Sequence, residues 1–89
     1  VDSTFRQTLK AKAHHLRPVV LLGAKGLTTA IVEETDIALN AHELIKVKIN
    51  GAEREDRQKM ATKLCQQLNA ELVQLIGNTV IMYRQKIDD

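Results

Sequence analysis

Pro18-Val19-Val20-Leu21-Leu22-Gly23-Ala24-Lys25-Gly26-Leu27 is the stretch that decides how this chain is read. Its first half is an apolar, β-branched run of strand length, opened by a proline where a missing N–H costs least. The run does not alternate, which predicts a strand covered on both faces. Its second half sets two glycines three residues apart with a lysine between them. From Leu27 to Ala41 the pattern turns helical, so the glycines mark a strand-to-helix corner. Glycine lets the backbone turn tightly and lets another molecule approach it closely. The first N–H groups of the following helix lack partners within it and, with the helix dipole, favour an anion such as phosphate. The spacing matches neither a P-loop nor a dinucleotide fingerprint. Two readings stay open: a plain turn, and a clamp on a nucleic-acid backbone.

Upstream, Ser3 is placed to cap a helix running to about His15. Phe5, Leu9, Ala13 and Leu16 recur at helical spacing as its apolar stripe, which puts Phe5 in the core. Arg6, Lys10, His14 and Arg17 form a second row beside it, a cationic ridge. No acid occurs between Ser3 and Leu22, whereas an ordinary solvated helix mixes signs. Net charge is only +2, but it is unevenly spread. Bases dominate up to Gly26, and the next segment carries Glu33, Glu34 and Asp36 with no base, which predicts a basic face around the glycine corner.

Downstream, Leu27, Ala30, Ile31, Ile37, Ala38 and Ala41 predict the buried side of the second helix, with Thr28 or Thr29 near its start. Glu43 to Ile49 reads as a strand with Ile45, Val47 and Ile49 on one face and Lys46 and Lys48 on the other. Those lysines either extend the cationic surface or blunt an edge strand. A third helix is expected from about Ala52 to Leu68, with Met60, Ala61, Leu64, Cys65 and Leu68 as its core stripe. Glu53–Arg57 and Glu55–Lys59 are spaced to pair on its surface, and Asn69 is a stop. Leu72–Ile76 and Thr79–Tyr83 flank Gly77-Asn78, a hairpin signature. The order α-β-α-β-α-β-β predicts one α/β domain of α+β character over residues 1–86. It has a four-stranded mixed sheet with the second and third helices on its main core face; where the first helix packs stays open, the apolar first strand hinting at the other face there. Residues 87–89 read as a short frayed tail.

With 89 residues, 44% hydrophobic and 27% charged, the chain is expected to bury one efficient core. No run reaches membrane-spanning length and no signal-peptide pattern opens it. The first residue is Val rather than Met, which fits a trimmed start. A single cysteine, Cys65, forms no disulfide within the chain and fits a cytoplasmic setting. His14 and His15 point to different sides of a helix, and there is no cysteine pair, so no metal site is expected. No nucleophile–base set can be assembled, and neither an enzyme, a cofactor nor a small-molecule substrate is expected. Aromatic residues are too scarce for a base-stacking platform. A nucleic-acid ligand would therefore be held by backbone and shape, which favours structured RNA.

Ala13-His14-His15-Leu16-Arg17-Pro18 through Leu27-Thr28 closely resembles the signature of the CRM domain, named for chloroplast RNA splicing and ribosome maturation. His42 to Ile49 and Val73 to Arg84 resemble that family's second strand and closing hairpin. The size is similar to the bacterial stand-alone YhbY-like members. The resemblance implies a fold similar to the C-terminal domain of translation initiation factor three. It also implies an RNA-binding protein associated with precursors of the large ribosomal subunit. The family's GxxG loop falls on Gly23, Ala24, Lys25 and Gly26, and Lys10, Lys12, Arg17, Lys46 and Lys48 are the expected helpers. The rival reading is a factor that docks onto a ribosomal protein, with the glycine corner purely structural.

Overall fold

Asp2, not Ser3, caps the first helix: its carboxylate accepts the Phe5 N–H at 2.7 Å. The computed structural model describes residues 2–23 and 25–86. Val1, Ala24 and the expected tail 87–89 lie outside the described residues. Helix α1 spans Ser3–Ala13 and ends earlier than the apolar stripe suggests, so His14 to Arg17 form a connection to the first strand. The remaining elements are β1 (Pro18–Leu22), α2 (Thr29–His42), β2 (Leu44–Ile49), α3 (Arg54–Leu68), β3 (Glu71–Ile76) and β4 (Thr79–Tyr83). This is the expected order, and the strands form one mixed sheet in the order β1-β2-β4-β3. The β1/β2 pair is parallel; β2/β4 and β3/β4 are antiparallel.

Alternation in β2 sorts the two faces. Ile45, Val47 and Ile49 are buried beneath α2 and α3, in one cluster with Val20, Leu22, Leu39, Leu64 and Met82. The opposite, outer face carries α1, whose Leu9 and Ala13 pack on Val73 and Ile81. Eleven residues of helix are about 16 Å long, too short to roof the whole sheet. Helix α1 lies over β2, β4 and β3 rather than over β1. Hence β1 is covered on one face only: Val19 and Leu21 stand exposed, against the expectation from its unbroken apolar run.

Helix α2 also departs from its reading. It starts at Thr29, capped by the Thr28 hydroxyl, and buries Leu39 and Thr35. Ile37, Ala30 and Ala41 face solvent. Thr35 is buried without penalty because its hydroxyl donates to the Ile31 carbonyl at 2.7 Å. Glu43 is not the first strand residue but a helix cap with positive φ (64°), whose N–H closes on the Leu39 carbonyl. Asn69 stops α3 in the left-handed conformation as expected.

Arg57 and Arg84 serve the scaffold. Arg84 ties the chain end to α2 and α3, pairing with Asp36 at 2.8 Å and donating to the Leu68 carbonyl and Asn40 side chain. Arg57 does not pair with Glu53: it donates to the Gly77 and Ala52 carbonyls, joining the hairpin turn to the start of α3. Among the described residues the ion pairs are Arg84–Asp36 and Arg6–Glu71, so neither expected pair on α3 forms.

Cys65 lies in the core, where burial, with a smaller push from the Glu71 carboxylate, raises its thiol to about 11. At neutral pH the reactive thiolate is scarce and sheltered. Labelling of Cys65 by a disulfide reagent is expected to follow unfolding, at a rate that rises with added urea. Rapid labelling of the native protein would contradict this packing.

Candidate nucleic-acid interface

The strand register lays out the outer face of the sheet in rows. The upper row crosses all four strands: Leu21, Lys48, Thr79 and Ile76 are successive neighbours. The row below it is Pro18, Lys46, Ile81 and Gln74. Helix α1 roofs the lower row at Ile81 and leaves the upper row open, with Leu21 54% and Ile76 56% exposed. Lys10 and His14, one helical turn apart, line the flank of α1 and form a groove with Lys46, Gln74 and Ile76. Since β2 is an inner strand, Lys46 and Lys48 cannot serve to blunt an edge.

Above the upper row lie the loops at the C-terminal ends of the parallel strands. Gly23 follows β1 directly, and the Asn50 N–H after β2 donates to the Leu22 carbonyl at 2.9 Å. Ile49 donates to the Asn78 carbonyl, which brings the hairpin turn to the same end. The glycine loop closes on itself: the Gly26 N–H donates to the Gly23 carbonyl at 3.0 Å. Two residues then separate Gly26 from α2, and Thr28 already satisfies the Ile31 N–H. The corner is thus a tight turn set before the helix, not the helix N-terminus itself. The end of α2 whose dipole favours an anion therefore lies at Thr28 and Thr29, beyond the glycines. Gly23 and Lys25 are exposed, and Ala24 lies outside the described residues.

The two glycines differ in kind. Gly26 has φ +71°, a conformation that costs an L-residue about 1–2 kcal/mol. Gly23 has no positive φ, and a Cβ there would meet nothing within 4 Å. Gly26→Ala is therefore expected to lower the urea midpoint by an amount equivalent to about 1 kcal/mol, and Gly23→Ala to leave it nearly unchanged. Equal losses at both positions would contradict the loop geometry.

The expected cations do not form one ridge. Arg6 is consumed by the fold, donating to the Leu72 and Val73 carbonyls and pairing with Glu71 at 2.7 Å. Lys10, Lys46 and Lys48 gather on the outer face just described. Lys25 stands beside the glycines in a groove that also holds Lys59 and the acids Glu53 and Asp56, so the loop itself is of mixed charge. Lys12 and Arg17 line a separate groove with His15 and His42 near the start of β1. Arg17 and Gly23 are six residues apart along the strand, roughly 20 Å. Lys46 and Lys48 lie half-buried on the face opposite Ile45, Val47 and Ile49, the side that the alternation of β2 predicts. The i, i+4 spacing of Lys10 and His14 sets them side by side, and the structure adds Lys46 to that pair. The exposed pair Leu21 and Ile76 has no local signal in the sequence.

No helix among the described residues is long and apolar enough to cross a membrane. No group of three or more metal-binding side chains occurs among them. Phe5 is partly exposed, edge-on to Tyr83 at 5.3 Å between ring centres, and this pair anchors the start of α1 rather than offering a stacking surface.

Comparison with known proteins bears on what this surface is for. An RNA-binding protein of Haemophilus influenzae is 48% identical over 79 residues, covering 89% of this chain and 80% of that protein. A Pseudomonas aeruginosa protein named "Probable RNA-binding protein" is 44% identical over 80 residues, covering 90% of this chain and 77% of that one. The solution structure of a Staphylococcus aureus protein, described as a candidate RNA-binding protein, superposes with a TM-score of 0.87 at 27% identity. That match covers 100% of this chain and 93% of the other. The sequence pattern of the CRS1 / YhbY (CRM) domain matches residues 2–84, and the chain belongs to that family.

Proposed function

We propose that this protein binds RNA, without catalysis, by holding the backbone of a structured RNA at the Gly23–Gly26 loop and along the lysines of the outer sheet face. Gly23 carries the reading. It is exposed, it needs no left-handed φ, and nothing in the fold occupies the space where its side chain would be. A residue free of internal demands suits close approach by a ligand backbone. Lys25 adds charge at the loop, and Lys10, Lys46 and Lys48 continue it along the sheet. Lys12 and Arg17 extend the footprint for an RNA long enough to reach the far end of β1. The relatives named as RNA-binding support the ligand class. The RNA we assign is the precursor of the large ribosomal subunit, met in the cytoplasm during assembly.

Crosslinking in cell extract, with the RNA and peptide sites both read, tests this. Crosslinks concentrated on large-subunit precursor RNA and on peptides containing Lys25 and Lys46 are the expected outcome. Crosslinks spread over cellular RNAs in proportion to abundance would remove the ribosomal assignment. Crosslinks to protein alone would favour a docking factor.

A further inference from the structure

We infer that the open upper row of the outer sheet face is a second subsite, one that takes unpaired RNA nucleotides beside the stretch gripped at the loop. This rests on the RNA reading above and adds base contact to it. The row spans three strand spacings, about 14 Å, from Leu21 through Lys48 and Thr79 to Ile76. Its ends are apolar and more than half exposed; its middle is a lysine and a hydroxyl. Lys46 and Gln74 lie in the row beneath, and Lys10 and His14 form the wall that α1 raises beside it.

Exposed Leu and Ile at the two ends of one row form a surface that gains by losing water. The residues between and beneath them decide what covers it. Neither row contains an acid, and the cations Lys48, Lys46 and Lys10 all adjoin the apolar ends. A second copy of this chain would bring like charges together there. A polyanion with apolar faces fits instead. Nucleobases are flat and can lie on aliphatic side chains, while the linking phosphates reach the lysines. A paired stem hides its base faces, so the ligand for this row is an unpaired segment. The row begins two residues before Gly23, so one strand can pass from the loop onto the sheet.

The test uses the full chain and two RNAs: a blunt hairpin, and the same hairpin with a short unpaired overhang. The overhang is expected to tighten binding about tenfold. An overhang of abasic residues, which keeps the phosphates, is expected to lose most of that gain. Leu21→Ser combined with Ile76→Ser replaces exposed side chains; it is expected to bind the blunt hairpin as the parent does and to lose the gain. Hairpin binding with no gain from the overhang overturns this inference alone. So does a gain that survives in the abasic RNA or in the double variant. A protein that dimerises in sedimentation, with the double variant monomeric, also overturns it by assigning the row to a second copy. Failure to bind either RNA overturns the RNA reading itself, and this inference with it.

Discussion

Titrated against a structured RNA long enough to span the molecule, the protein is expected to lose about a thousandfold in affinity between roughly 50 and 200 mM salt. The magnitude follows from the cations proposed to touch phosphate: Lys10, Lys12, Arg17, Lys25, Lys46 and Lys48. Six neutralised phosphates give a slope of log affinity against log salt of about −4 to −5. Lys25→Ala should flatten that slope by about one, and the affinity of the variant should converge on the parent's at high salt. An RNA too short to reach Lys12 and Arg17 should show a slope nearer −3, because those two stand roughly 20 Å from the loop. Weak salt dependence throughout would mean that the contact is not to backbone phosphate.

A second large effect concerns the scaffold that holds this surface in place. Leu64 is fully buried where α3 meets the sheet. Leu64→Ala is expected to cost about 2–5 kcal/mol, through lost transfer energy and the cavity left behind. In a domain of this size that is a large part of a total of about 5–15 kcal/mol. Thermal unfolding should fall by roughly 10 °C or more. Ile37→Ala makes the contrast. Its spacing along α2 suggests a core residue, yet it is 68% exposed, and its loss should stay within about 0.5 kcal/mol. A large loss for Ile37→Ala, or a small one for Leu64→Ala, would contradict the packing of both helices.

That contrast shows where the sequence could be read and where it could not. Lys46 and Lys48 between Ile45, Val47 and Ile49 give β2 an unambiguous alternation, and the structure follows it. Gly77-Asn78 and Asn69 carry their own conformational preferences, and the hairpin and the end of α3 fall where expected. Strand β1 was misread because a continuous apolar run looks the same whether or not a helix covers its second face. Coverage depends on where α1 lands, and that follows from its short length and from Arg6, Phe5 and Leu9 engaging β3 and β4. The same placement took Arg6 out of the cationic row, which local spacing alone could not foresee. In the α2 region the helical spacing is right for Leu27, Ile31 and Ala38, which pack on the core, and wrong for Ala30, Ile37 and Ala41, because the buried side also takes Thr35, whose hydroxyl is bonded to its own helix. The glycine loop was legible from residue types, and its turn hydrogen bond and its separation from α2 were not. The open row of Leu21, Lys48, Thr79 and Ile76 draws one residue from each of four strands, so no window of sequence contains it.

The account rests most directly on Gly23, and Gly23→Val is the measurement that probes it. The space around that position is empty within the fold, so the urea midpoint should hold to within about 0.5 kcal/mol. A branched side chain should stand in the path of the RNA backbone, and affinity for structured RNA at low salt should fall about tenfold or more. A folded Gly23→Val protein that binds as tightly as the parent would contradict the grip proposed for this loop.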